Sequence, residues 1–298
     1  MESCGFGPKG PPVSVFKVES IMLRANYHTH TTFCDGESTA EEMVNKAREL
    51  GFFALGFSSH VDPDVPVDWE AYRAEVLRLQ AAYAGELDIL LGAELDNLWD
   101  RSHCPGAEFV IGSTHYIPVG TPHDGCVDWS AEVCERCCRE FFGGDWYAYC
   151  RAYYEFEAQV YDRTQCTFVG HFDLVTRFND DLRAFDEEDP RYVGPALDAM
   201  EHLARQGVPF EINCGAFNRG HKAELYPRRS LLRALHDFGG EILITSDAHH
   251  RDYLAGGFET AVERAIACGF THVNVLRHDL RGDVEFQQVA LEIGRAHV

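Results

Sequence analysis

The chain is 298 residues long and 45% hydrophobic, enough apolar side chain for one large α/β domain or two small ones and too much for a disordered polypeptide. Forty-eight acidic against 26 basic residues leave a net charge of −22, which repels phosphate backbones at long range and excludes a nucleic-acid partner, while small anions can still bind where cations gather. No apolar run approaches about 18 residues, so no membrane partner is expected, and the eleven dispersed cysteines, with no signal peptide evident, read as thiols of a reducing cytoplasm.

In chain order, residues 1–20 open with a Gly- and Pro-rich run and are expected to form a flexible extension. Next comes His28-Thr29-His30, with Asp35 five residues on. In extended chain, side chains at i and i+2 point the same way, so both imidazoles can face one ion and Asp35 can return to it from the loop. Ser38-Thr39-Ala40-Glu41 reads as a capping box, followed by Met43, Ala47 and Leu50 at helical spacing. Apolar runs then end at His60, Glu94, His115 and His171, with a helix over 68–84 after the first of them. Between His115 and His171 lies a long insertion rich in aromatics and acids, with helices expected over 129–142 and 145–163. Its Cys134, Cys137 and Cys138 have C-x-x-C spacing but no second pair, so they read as thiols on a helix. Helices near 190–206, 228–238 and 256–268 alternate with strands over 208–213, 241–246 and 272–276. The fifth apolar run closes on Asp247, His249 and His250. Residues 292–298, back-translated as GAGATCGGAAGAGCACACGTC, look like read-through into a sequencing adapter and are expected to be non-native, which resequencing the source gene would check.

Repeated β then α units predict a parallel sheet with right-handed crossovers, and seven or eight of them favour a closed barrel over an open doubly wound sheet. Barrel sites lie at the C-terminal face of the strands, where every ligand-type residue falls. Nine such groups, His28, His30, Asp35, His60, Glu94, His115, His171, Asp247 and His249, are too many for one tetrahedral ion and imply two or three divalent ions, zinc, manganese or iron. Clustered ions activate water and neutralise oxygens that gain charge, which is hydrolytic chemistry. The usual two-metal amidohydrolase needs a strand-end lysine for a bridging carbamate, and Lys9, Lys17, Lys46 and Lys222 end no convincing strand. A bridging Glu94 does the same job and tips the balance to a phosphoesterase. Its anionic substrate needs guanidinium forks, and Arg177 and Arg219 follow the strands ending at His171 and Asn213. Alternatively, Arg177 is an ordinary surface residue and Arg219 pairs with an acid such as Glu224.

The ordered motifs His28-Thr29-His30-Thr31-Thr32-Phe33-Cys34-Asp35-Gly36, Ser59-His60, Gly92-Ala93-Glu94, Gly112-Ser113-Thr114-His115, Gly170-His171-Phe172-Asp173, Glu211-Ile212-Asn213 and Ser246-Asp247-Ala248-His249 resemble the PHP (polymerase and histidinol phosphatase) superfamily, more narrowly its histidinol-phosphatase branch. The resemblance covers roughly residues 24–276 and implies one domain over 21–291, a distorted TIM-like (β/α)7 barrel with parallel strands and an α-helical insertion. It also implies a trinuclear centre. His28, His30, Glu94 and Asp247 would hold the first ion, Glu94, His115 and His171 the second, and Asp35, His60 and His249 the third. Glu94 and Asp247 would bridge and help activate a hydroxide that attacks phosphorus in line. L-histidinol phosphate would be split to L-histidinol and phosphate in histidine biosynthesis, with Arg177 and Arg219 on the phosphoryl oxygens. At Asp35 some relatives carry histidine, which puts the third ion's identity in question. Cys34 and Cys214 are expected to pack or to support ligands, His250 to be a surface residue, and the insertion's acids either to meet a substrate amine or to form a solvated face. The alternatives are a phosphoesterase of this scaffold acting on another ester, and a non-catalytic module, against which the complete ligand set argues.

Overall fold

This computed structural model describes residues 24–291. The expected extension over 1–20 and the segment 292–298 lie outside the described residues. The elements run β1 (Ala25–Asn26), α1 (Ala40–Glu49), β2 (Ala54–Val61), α2 (Trp69–Ala82), β3 (Asp88–Asp96), β4 (Phe109–Ser113), α3 (Ala131–Phe142), α4 (Trp146–Glu157), α5 (Val160–Thr164) and β5 (Phe168–Val169). There follow α6 (Asn179–Leu182), α7 (Pro190–Arg205), β6 (Phe210–Asn213), α8 (Gly215–Asn218), α9 (Arg229–Asp237), β7 (Ile242–Thr245), α10 (Phe258–Cys268), β8 (His272–His278) and β9 (Val284–Ala290).

Strands β1 to β7 pair in sequence order, all parallel, as the apolar runs predict. The sheet curls into a nearly closed barrel whose seam is an isolated bridge between Thr29 and Ala248. Two backbone bonds make it, His30 N–H to the Ala248 carbonyl at 2.9 Å and Ala248 N–H to that of His28 at 3.2 Å. Inside, Gly56 and Gly92 leave room for the ring of Phe109, since a Cβ at either position would lie 2.7 or 2.2 Å from its Cζ. Phe168 stacks beside that ring at 6.2 Å and Tyr27 meets its edge, so the barrel centre is a packed core below the ligand-bearing face.

Three expectations need correction. The strand over 272–276 is not an eighth stave: β8 pairs antiparallel with β9 in a separate hairpin. The capping box is one residue later, with Thr39 Oγ1 accepting from Glu42 N–H and Thr39 N–H donating to Glu42 Oε2, while Ser38 Oγ accepts from Arg251 N–H. The helix over 145–163 breaks after Glu157, which swings α5 so that Val160 packs on Gly112 of β4. No α-helix joins β3 to β4, only a loop with one 3₁₀ turn, and this is one distortion of the barrel. Cys134, Cys137 and Cys138 are buried thiols on α3, as expected, and burial pushes Cys134 and Cys137 up to about 12, which makes them inert.

Candidate metal centre

Because side chains alternate along a strand, Ser58 and His60 of β2, Gly92, Glu94 and Asp96 of β3, Ser113 of β4 and Glu211 of β6 fall on the inner face near the strand ends. The remaining ligand-type residues sit just beyond their strands: His28 and His30 after β1, His115 after β4, His171 after β5, and Asp247 and His249 after β7. Asp35 reaches the same place from the loop before α1. All nine converge.

The carboxylate of Glu94 is at the centre. Its Oε1 lies 2.8 Å from His171 Nε2 and 3.2 Å from His115 Nε2. Its Oε2 faces a different set, His28 Nε2 at 3.2 Å, His30 Nε2 at 3.4 Å and His60 Nδ1 at 3.1 Å. Asp247 Oδ1 lies 3.3 Å from His30 Nε2, 3.7 Å from His28 Nε2 and 3.4 Å from His249 Nδ1. Asp35 lies 3.1 Å from His249, 3.6 Å from His60 and 3.6 Å from His30. Four overlapping groups offer ligand atoms within 4.8 Å of one another: His30, Asp35, His60 and His249; His28, His30 and Asp247; His28, Glu94 and His171; His60, Glu94 and His115. No thiol joins these groups among the described residues.

Divalent ions fit this donor set by its chemistry and by what it leaves unmade. His28 Nε2, His30 Nε2, His60 Nδ1, His171 Nδ1 and Glu94 Oε2 are buried without a hydrogen-bond partner. Orphaned polar atoms cost about 1–3 kcal/mol each, a cost that bound ions would recover. Burial alone disfavours charge on His28, but Glu211, Glu94 and Asp247 hold its pKa well above the ordinary value. Burial likewise opposes charge on His60 and His115, and Glu94 with the acids beside them raises both. The same attraction drives Glu94 and Asp247 down against their burial. Neutral imidazoles and ionised carboxylates are what a metal needs, so loading would displace protons.

A cavity of ≈ 340 Å³ opens over the cluster. Beyond the ligand-type residues, Asp64, Tyr116, Asp128, Trp129, Arg177, Arg219 and Tyr226 line it. Arg219 is not paired with Glu224, which takes Arg264 instead. One Arg219 nitrogen donates to the Asp247 carbonyl at 2.8 Å and to His249 Nδ1 at 2.9 Å. Arg177 has no ion pair among the described residues, rests on the Phe178 ring and leaves its buried Nε unpartnered. Lys222, which ends no strand, is buried against the Thr176 carbonyl and Asp180. His250 caps a 3₁₀ turn through Nδ1 and stays outside the cavity lining. Cys34 Sγ lies 3.6 Å from His30 Nδ1, and although burial opposes ionisation, His30 holds the thiol down at about 6. Cys214 is buried and packs against Gly257.

Three carboxylates escaped a role in the sequence. Asp62 Oδ2 lies 3.2 Å from His60 Nδ1, and Asp96 Oδ2 lies 3.2 Å from His115 Nδ1. Glu211 faces His28 Nδ1 at 2.9 Å. Asp96 stands two residues after Glu94 in β3, so strand alternation alone puts it on the inner face, while Asp62 stands two residues after His60, just past the end of β2.

The sequence model of the PHP domain matches residues 26–214. The chain belongs to the PHP domain family. Two relatives of this PHP domain are each named "Probable histidinol-phosphatase". That of Deinococcus radiodurans is 29% identical over 79% of this chain and 90% of its own, and that of Schizosaccharomyces pombe 22% over 82% and 86%. A solved histidinol phosphate phosphatase from Lactococcus lactis, complexed with zinc, L-histidinol and phosphate, superposes with a TM-score of 0.61 at 21% identity. The superposition covers 85% of this chain and 96% of that one, so the two share the barrel fold.

Proposed function

We propose that this PHP domain hydrolyses L-histidinol phosphate to L-histidinol and phosphate at a centre of two to three divalent ions, zinc, manganese or iron. The observation that carries the reading is Glu94, whose two oxygens face two different sets of imidazoles with Oε2 left unpaired. That is how a carboxylate between two ions is disposed. In this reading His28, His30, Glu94 and Asp247 hold one ion, Glu94, His115 and His171 a second, and Asp35, His60 and His249 a third. Asp247 offers Oδ1 to the cluster and turns Oδ2 toward Arg219, 3.5 Å away. When bound, the ions lower the pKa of water and neutralise phosphoryl oxygens in the transition state.

The chain's own groups orient the ester. Arg177 and Arg219 bind phosphoryl oxygens, a role supported by the free Nε of Arg177 and by the anchoring of Arg219 beside Asp247 and His249. Asp64 and Asp128 in the same cavity suit an ammonium, and Trp129, 60% exposed at that lining, suits a flat ring. The names of the two relatives and the ligands of the Lactococcus lactis protein support histidinol phosphate over other esters. Residues 21–291 are taken as one domain, supported by a buried core that runs from Ala25 to Leu291. A cytoplasmic setting agrees with the ten described cysteines, all free thiols, and no described helix is long and apolar enough to cross a membrane.

Phosphate release from histidinol phosphate and a panel of other esters, with metal content measured on the same sample, tests the proposal. Rapid turnover of another ester beside none of histidinol phosphate overturns the substrate. Fewer than two ions per chain, with no hydrolysis after adding manganese or zinc, overturns the centre.

A further inference from the structure

Glu211 stands in no ligand set above, yet it is fully buried beneath the centre. His28 Nδ1 lies 2.9 Å from its Oε2 and 3.2 Å from its Oε1. The backbone N–H of His171 donates to Oε1 at 2.7 Å and Asn213 Nδ2 to the same oxygen at 2.9 Å. Thr245 Oγ1 donates to Oε2 at 2.7 Å. Protein donors thus occupy both oxygens, whereas Glu94 keeps Oε2 free. A carboxylate so engaged is not placed to coordinate an ion.

Its partners show what it holds. With Nδ1 held against the carboxylate, a neutral His28 keeps its proton there, and Nε2, on the side of Glu94 Oε2 and Asp247 Oδ1, is the nitrogen left for an ion. The same carboxylate pins the backbone of His171, whose Nε2 lies 2.8 Å from the other oxygen of Glu94. Asp96 backs a single imidazole, His115, and Asp62 lies near only one, 3.2 Å from His60 Nδ1. Glu211 reaches ligands on both sides of Glu94.

We propose that Glu211 is a positioning residue that fixes the tautomer of His28 and its spacing to His171, so that the ions on either side of Glu94 load as a pair. The inference rests on the metal-centre reading. Glu211→Gln keeps the shape but turns one acceptor into a donor facing groups that already donate. Metal-free full-length protein titrated with Zn²⁺ against a chromophoric chelator should then bind two ions about 10- to 100-fold more weakly. The ion beside Asp35 should keep its affinity, and Asp62→Asn should show the reverse pattern. Unchanged affinities in a folded Glu211→Gln protein overturn the proposal. If that variant does not fold, Thr245→Val carries the test, since it leaves the charge and removes one of the bonds. It should weaken the same two ions by a smaller factor, and no shift overturns the proposal. Failure of the wild type to bind zinc would instead sink the metal-centre reading, before Glu211 is in question.

Discussion

Two polar clusters occupy opposite ends of the barrel, one half-buried and one buried, and they are built on opposite terms. At the N-terminal end of the strands, His278 lies between Asp88 at 2.6 Å and Glu108 at 3.0 Å, and Glu108 also accepts from Gln80 and from Leu91 N–H. Beside it the Tyr27 hydroxyl donates to the Leu276 carbonyl and accepts from its N–H, which fastens the β8–β9 hairpin to the barrel floor. At the C-terminal end, imidazole nitrogens and a carboxylate oxygen are left without partners. A satisfied cluster stabilises the fold. An unsatisfied one subtracts from stability and is held open for a ligand, because unmade bonds inside a protein are costly.

Mutations at the two ends should therefore separate cleanly. The largest effect is expected for His171→Ala or Asp247→Asn, which should cut kcat/KM by about a thousandfold or more with an unchanged circular dichroism spectrum; near-wild-type turnover in either refutes the centre. Arg177→Ala and Arg219→Ala each remove a charge-assisted bond of about 1.5–3 kcal/mol, so kcat/KM should fall roughly 10- to 100-fold, with Arg177→Lys recovering part of it. Metal affinity should drop as pH falls, since His28, His60 and His115 hold their protons to higher pH than an ordinary histidine and each proton displaced weakens binding about tenfold per pH unit. A chelator competition that gives the same affinity at pH 6 and pH 8 would contradict this.

At the other end, Tyr27→Phe leaves the Leu276 amide and carbonyl buried without that partner and should cost about 1–3 kcal/mol in urea unfolding, with kcat/KM unchanged. The smallest effect concerns His278. Partial burial opposes its charge, but Asp88 and Glu108 raise its pKa above the unfolded value. Its contribution is thus fully present below the unfolded pKa and is lost as pH rises through the folded one. The stability gap between wild type and His278→Gln should close on going from pH 6 to pH 9, and a gap that widens would break the comparison.

The unsatisfied end was the more legible in the sequence, for a physical reason. A buried parallel strand is a run of apolar residues, so a His or Glu that ends one is conspicuous against its surroundings, as at His60, Glu94, His115 and His171. Where the reading failed, the missing information was spatial. Glu94 and Glu211 are both acids on inner strand faces, and what separates them is that Glu211 accepts from His171 and Thr245 on neighbouring segments and from Asn213 on its own strand, whereas Glu94 keeps Oε2 free. The partners of Arg219 lie about 30 residues away, on the loop after β7, where local charge spacing does not point. Strand β8 has the composition of a barrel stave and leaves the barrel because β9 pairs with it.

The seam between β1 and β7 is where chain connectivity does least and the centre can do most. Thr29 and Ala248 are the only bridge across it among the described residues, and each lies between two ligand-type residues, His28 with His30 and Asp247 with His249. An ion gripped from both sides would work as a clasp on a ring that the backbone alone fastens with two hydrogen bonds. The segments that follow the first and last barrel strands would then be joined through the centre, so stripping the ions should loosen the barrel at this seam.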